Sequence, residues 1–277
     1  MPMTGVAAPE GGEMTIPVAE ALLNPGPIRH VRLDMTSRCN LRCVYCAVSH
    51  PDYRGTDMDD AMVSRVLAAV LDLARHNDLE PVDLNGHGET TFRAGWTDLC
   101  FALIERGIRV RLTSNFAKNF SEIELEALAS MDTIAISVDS SDAKFLRGVR
   151  RKVDLRQIVA NMAFVRSTAL KLHRPPSEFA FLCGLYDKNT SEWDEFARFT
   201  IAMGVKTVGL WSLTEHRGMN LPEKDQVRSL DDLSGVELSS RLSSIRRGLD
   251  LPRRHGVEVI TQGAFIEALE HRVRAHA

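Results

Sequence analysis

Three cysteines fall within eight residues, in Cys39-Asn40-Leu41-Arg42-Cys43-Val44-Tyr45-Cys46. Spacings of three and two intervening residues let three thiolates from one loop face a common centre. Three thiolates on one face of a cubane iron–sulfur cluster leave one iron open. An open iron can take a small chelating molecule, as an open zinc position takes water. The same triplet with His50 would also make a tetrahedral Cys₃His zinc site, since borderline-soft Zn²⁺ accepts both donors. On the triplet alone both readings stay open: a redox cluster, or a zinc-binding module without catalysis.

Further polar groups sit where short β-prone runs end. Asn85-Gly86-His87-Gly88-Glu89-Thr90 combines glycines, which let backbone approach a ligand closely, with a carboxylate able to accept hydrogen bonds from an ammonium group. Thr113-Ser114-Asn115 and Ser137-Val138-Asp139-Ser140 end two later runs. Their hydroxyl and carboxylate groups suit a ribose or an amino-acid carboxylate. Asp139 is equally suited to cap a following helix.

The pattern Cys39-x-x-x-Cys43-x-x-Cys46, with Tyr45 just before the third cysteine, resembles the radical S-adenosylmethionine (radical SAM) superfamily. The resemblance covers roughly residues 28–212. It implies a partial β/α barrel, a [4Fe–4S] cluster on Cys39, Cys43 and Cys46, and reductive cleavage of S-adenosylmethionine to a 5′-deoxyadenosyl radical. Gly88 and Glu89 match the end of the superfamily's Gly-Gly-Glu motif, which holds the cofactor's amino group. His87 replaces its first glycine, and Thr90 the usual following proline. The resemblance implies cofactor contacts at Tyr45, Gly88, Glu89, Asn115, Ser137, Asp139 and Arg147. Arg147, in Leu146-Arg147-Gly148, is expected to pair with a carboxylate.

Two cysteines lie outside the triplet. Cys100 falls in an apolar helical stretch and reads as core. Cys183 stands near the end of the fifth expected strand. A thiol there can donate a hydrogen atom to a carbon radical, and a donor on the face opposite the adenosyl radical would invert a stereocentre. This is similar to radical epimerases acting on aminoglycoside sugars. The reaction expected first is therefore epimerisation of a sugar or aminoglycoside carbon, with Cys183 as donor. Dehydrogenation, dehydration and peptide modification are the alternatives. No cysteine follows Cys183, so a single cluster is expected. Trp211, Glu215 and His216 follow the sixth strand and are candidates for contacting a polar substrate.

The elements that must position these groups follow a βα rhythm. Strands are expected over 30–34, 82–85, 109–113, 133–138, 178–183 and 207–211. Helices are expected over 59–75, 96–106, 122–131, 155–167 and 192–203. Gly107 and Gly204 sit where left-handed helix caps belong. Runs such as Thr133-Ile134-Ala135-Ile136-Ser137-Val138 are apolar on both faces, which fits a parallel sheet covered by helices. The expected fold class is α/β, a partial (β/α)6 TIM-like barrel, with reacting groups at the carboxyl ends of its strands. Residues 1–27 read as a flexible arm with a short helix over 16–23. Residues 213–277 read as an extension completing or covering the site: a polar loop over 214–234, a helix over 234–248, a short strand over 257–260 and a closing helix over 264–273.

The formal net charge of -3 gives nucleic-acid binding no electrostatic support. The densest basic run, Arg147, Arg150, Arg151 and Lys152, reads as a solvated helix start. No apolar run is long enough to span a membrane, and no secretory signal is visible. Clustered free thiols point to the reducing cytoplasm. The expected partners are a small polar substrate and an external one-electron donor such as flavodoxin or ferredoxin.

Overall fold

Every expected strand forms, and all lie in one sheet. The computed structural model describes residues 26–213, 227–261 and 263–275. The strands are β1 (Arg32–Leu33), β2 (Val82–Leu84), β3 (Val110–Ser114), β4 (Thr133–Ser137), β5 (Glu178–Leu185), β6 (Thr207–Ser212) and β7 (Glu258–Thr261). They lie side by side in chain order, and each neighbouring pair is parallel. Among the described residues β1 and β7 do not pair, so the barrel is open. The seventh strand comes from the C-terminal extension, which prolongs the sheet beyond the six-stranded core.

The helices are α1 (Asp60–His76), α2 (Trp96–Ile104), α3 (Glu122–Ala129), α4 (Ala143–Arg150), α5 (Leu155–Lys171), α6 (Trp193–Ala202), α7 (Gly235–Arg254) and α8 (Phe265–Ala275). Local capping fixes several starts. Asp59 accepts from Met62 N at α1, and capping boxes Ser121/Glu124 and Ser234/Glu237 open α3 and α7. Gly107 and Gly204 do take left-handed φ values, +76° and +62°. Helix α4 was not anticipated. Its Asp142 takes the cap role weighed for Asp139, accepting from Phe145 N at 2.6 Å. Helix α7 runs past Gly248, where a stop was expected. That glycine is a packing device, because a Cβ there would sit 1.9 Å from Trp193 of α6.

Burial alternates strictly along β3 and β4, whereas β5 and β6 carry buried residues on both faces. Val110, Leu112, Ile134, Ile136, Phe181 and Leu210 are buried on one face. There they join helix residues such as Leu99, Leu128, Ile158 and Phe196 in a single core. The opposite face, carrying Thr113, Ser137, Leu182 and Trp211, is half-buried. No described helix is long and apolar enough to cross a membrane. The expected helix over 16–23 and the residues Glu215 and His216 lie outside the described residues.

Candidate active site

The cysteine loop leaves β1 and is clamped to the end of β2. Gly88 N donates to Thr36 O at 3.1 Å and Glu89 N to Arg38 O at 2.8 Å. The approach is so close that a Cβ on Gly88 would lie 2.3 Å from each of those carbonyl oxygens. Further on, Val44 N donates to Val149 O at 2.8 Å, and Ser49 Oγ to Cys43 O at 2.7 Å. The loop is thereby pinned at β2 and at the end of α4.

These contacts place Cys39, Cys43 and Cys46 on the wall of a cavity of about 360 Å³ at the carboxyl edge of the sheet. Gly88, Glu89, Asn115, Ser137, Arg150 and Trp211 also line it. The volume is in the range of small-molecule sites. The three thiols share one wall of the cavity. Among the described residues no three His, Cys, Asp or Glu side chains form a group able to hold a metal ion. A tetrahedral zinc needs all its thiolates about 2.3 Å from one centre, whereas a cluster takes one cysteine per iron. His50 is off the wall and within 3.8 Å of Asp52. The donor set suits a cluster better than a Cys₃His zinc site.

Glu89 is buried, and its carboxylate is held in one orientation. Oε1 accepts from Thr91 N, Thr91 Oγ1 and Ser114 Oγ at 3.2, 2.7 and 2.8 Å. Among the described residues Oε2 accepts only from Asn115 N, at 2.7 Å, which leaves it capacity for a ligand donor. His87, at the first-glycine position of the motif, lies at the rim with Nδ1 3.1 Å from Asp34 Oδ2.

The charge expected from Arg147 is supplied by Arg150. Arg147 is exposed, lies 3.8 Å from Asp154 and is absent from the cavity wall. Arg150 lines the cavity and is buried, its Nε and Nη2 donating to the two Asp139 oxygens at 2.8 and 2.9 Å. Its Nη1 has no protein acceptor among the described residues. The basic run therefore holds a buried ion pair as well as solvated charge. Asp139 is buried behind the wall, anchoring Arg150 and accepting from Tyr45 Oη at 2.6 Å. Burial pushes the Tyr45 phenol well above its ordinary pKa, so it stays protonated as donor. Burial also pushes the Cys43 thiol up to about 12, with Arg150 pulling the other way. Without a metal, Cys43 is a thiol.

Cys183 is separated from the cavity. Leu182 and Gly184 of β5 line it, so strand alternation turns Cys183 to the helix-packed face. It is fully buried there, its thiol 3.7 Å from Asp139 O and approached by Asn189 Nδ2 at 3.7 Å. Cys100 is likewise in the core. Trp211 stands on the cavity wall and also lines a second cavity of about 780 Å³ along β6 and β7; Leu182 too is common to both.

The radical SAM superfamily model matches residues 33–200 of the 277. The chain belongs to the radical SAM superfamily. Among curated relatives, a GTP 3′,8-cyclase of Marinobacter nauticus is 27% identical over 281 residues, covering 89% of this chain and 81% of that protein. A GTP 3′,8-cyclase of Actinobacillus pleuropneumoniae is 28% identical over 174 residues, covering 57% of this chain and 50% of that protein. The chain thus aligns with only half of the latter's length. Among solved structures, Streptococcus suis SuiB bound to S-adenosylmethionine matches with a TM-score of 0.68 at 15% identity, over 91% of this chain and 55% of that one. The anSMEcpe enzyme with bound AdoMet matches with a TM-score of 0.62 at 14% identity, over 84% and 61%. These structural likenesses concern the fold.

Radical SAM proteins use a [4Fe–4S] cluster and S-adenosylmethionine, and the donors present here fit that pair. Sequence reasoning missed Arg150 and the Thr91–Ser114 support of Glu89. The basic run and the hydroxyls beside the motifs were the available signals.

Proposed function

We propose that this radical SAM enzyme cleaves S-adenosylmethionine on a single [4Fe–4S] cluster held by Cys39, Cys43 and Cys46, and removes a hydrogen atom from a small organic substrate. The observation that carries the reading is the convergence of three thiols, Glu89 and Arg150 on one cavity. The chemistry the cofactors supply when bound is one-electron cleavage of the S–C5′ bond, giving the radical that attacks substrate. Glu89 Oε2 receives the cofactor's ammonium beside the glycine turn. Arg150 Nη1 and Ser137 receive its carboxylate, the part first given to Arg147. Asp139 and Tyr45 hold Arg150 in place, and Asn115 belongs to the support of Glu89. The electron comes from an external donor of flavodoxin or ferredoxin type, in the reducing cytoplasm where free thiols persist.

The substrate lies against Trp211, where the cofactor cavity meets the second cavity. The name of the sequence relatives suggests a nucleotide. Among the described residues, however, the second cavity is lined by no Arg or Lys and by one acid, Asp231. That favours a polar ring without a triphosphate, so a sugar-containing substrate remains the first choice. Epimerisation through Cys183 is not carried forward, because that thiol faces the core.

The test is anaerobic incubation with dithionite and S-adenosylmethionine, with 5′-deoxyadenosine measured by mass spectrometry. The wild type is expected to form it. Glu89→Gln removes the charge facing the ammonium, and a hydrogen bond to a charged group is worth about 1.5–3 kcal/mol. The variant should therefore bind S-adenosylmethionine about tenfold to a hundredfold more weakly. Unchanged binding would remove Glu89 from the cofactor site.

A further inference from the structure

Asn115 touches a sulfur atom that the proposed reading makes a cluster ligand. Its side chain is buried, and its orientation is fixed because Ala117 N donates to Oδ1 at 2.9 Å. The amide nitrogen therefore points the other way. There Nδ2 meets two acceptors, Asn40 Oδ1 at 2.8 Å and Cys39 Sγ at 3.7 Å. Both amide hydrogens are thus used within the protein. Leu41 N adds a second contact to the same sulfur, at 3.4 Å.

The three thiols are not treated alike. Cys39 is approached by two N–H donors as well as lying 3.8 Å from Asn40 Oδ1, whereas the contact on Cys43 Sγ is the carbonyl oxygen of Arg150 at 3.7 Å. As a thiolate, Cys43 gains nothing from that oxygen. A hydrogen bond to a ligand sulfur stabilises the more electron-rich, reduced cluster and raises its potential. Asn115 is itself anchored through its backbone N–H on Glu89 Oε2, at 2.7 Å. The donor to the sulfur and the carboxylate assigned to the cofactor amine are thus held by one residue.

We propose that Asn115 is a positioning residue that donates a hydrogen bond to the Cys39 thiolate and raises the reduction potential of the cluster. This role rests on the cluster reading and differs from the direct cofactor contact expected of Asn115.

The experiment is a redox titration of the reconstituted protein, followed by electron paramagnetic resonance, without S-adenosylmethionine. Asn115→Asp keeps the acceptor for Ala117 N–H and removes the donor to sulfur. At a fixed potential its ratio of reduced to oxidised cluster should fall about tenfold, equivalent to about 59 mV for one electron. Asn115→Leu should shift in the same direction. If Asn115→Leu fails to load iron, Asn115→Ala, which likewise removes the donor without adding a charge, carries the test. Asn40→Ala removes a neighbouring tether, Asn40 Nδ2 to Ala117 O at 3.0 Å, and the second acceptor of the Asn115 amide, but leaves the Asn115 donor facing Cys39 with its Ala117 anchor intact. Its potential should stay near wild type. Unchanged potentials in the Asn115 variants would overturn the proposal. So would an equal fall in Asn40→Ala, which would assign the effect to loop geometry. A wild type that assembles no cluster would instead sink the reading beneath it.

Discussion

Asp139→Ala is expected to destabilise the protein by about 3–5 kcal/mol, the cost of leaving a buried charge without its partner. The variant strips Arg150 of both its carboxylate hydrogen bonds and Tyr45 of its acceptor. Burial works against the Arg150 charge, but Asp139 and the surrounding groups more than offset it, so the guanidinium stays protonated. It must then be solvated inside the fold. The expected loss is read by urea denaturation. Adding Arg150→Met should recover part of it, since a buried pair replaced by apolar groups is often near neutral. A double variant less stable than Asp139→Ala alone would contradict the account. The same double variant should bind S-adenosylmethionine poorly, because it lacks the cation assigned to the carboxylate.

Gly88→Ala should have the next largest effect, on cluster loading. The added Cβ meets backbone, the carbonyl oxygens of Thr36 and Arg38, at 2.3 Å. Relief requires lifting the strand of loop that leads into Cys39. Iron retention should fall about tenfold to a hundredfold, the range seen when groups supporting metal ligands are lost. Gly86→Ala is the matched control. Its Cβ meets the side chain of Asp34, a half-exposed carboxylate able to turn away. Loading should there remain near wild type. Equal losses in both variants would mean that the clamp at Gly88 is not what sets the loop.

The contrast explains what the sequence reveals and what it conceals. The cysteine triplet and Gly88-Glu89 are legible because each is a local pattern whose spacing is its geometry. The six core strands are legible because each is a short apolar run between turn signals. The side on which a residue falls is harder to read when a strand is apolar on both faces. Cys183 was placed at the right end of β5, but its facing follows from register, with Leu182 opposite Ser137 on the cavity side. Arg150 sits in a run of four basic residues whose composition suggests solvent. Its burial depends on Asp139, eleven positions earlier, and on Tyr45, which shares Asp139 from 94 positions away. Gly248 is the last residue of the helix expected over 234–248, whereas α7 continues to Arg254. The use of this glycine as a seat for Trp193 depends on the docking of α6 on α7. Each miss is a tertiary contact overriding a local preference.

The proposed open-iron cluster on three thiols of one wall stands against a single bound metal ion. Its most direct test is metal analysis of anaerobically reconstituted protein, with electron paramagnetic resonance of the reduced state before and after adding S-adenosylmethionine. The expected result is a brown protein with about four irons per chain and a signal that changes when the cofactor occupies the open iron. A colourless protein with one zinc per chain, silent to S-adenosylmethionine, would contradict it.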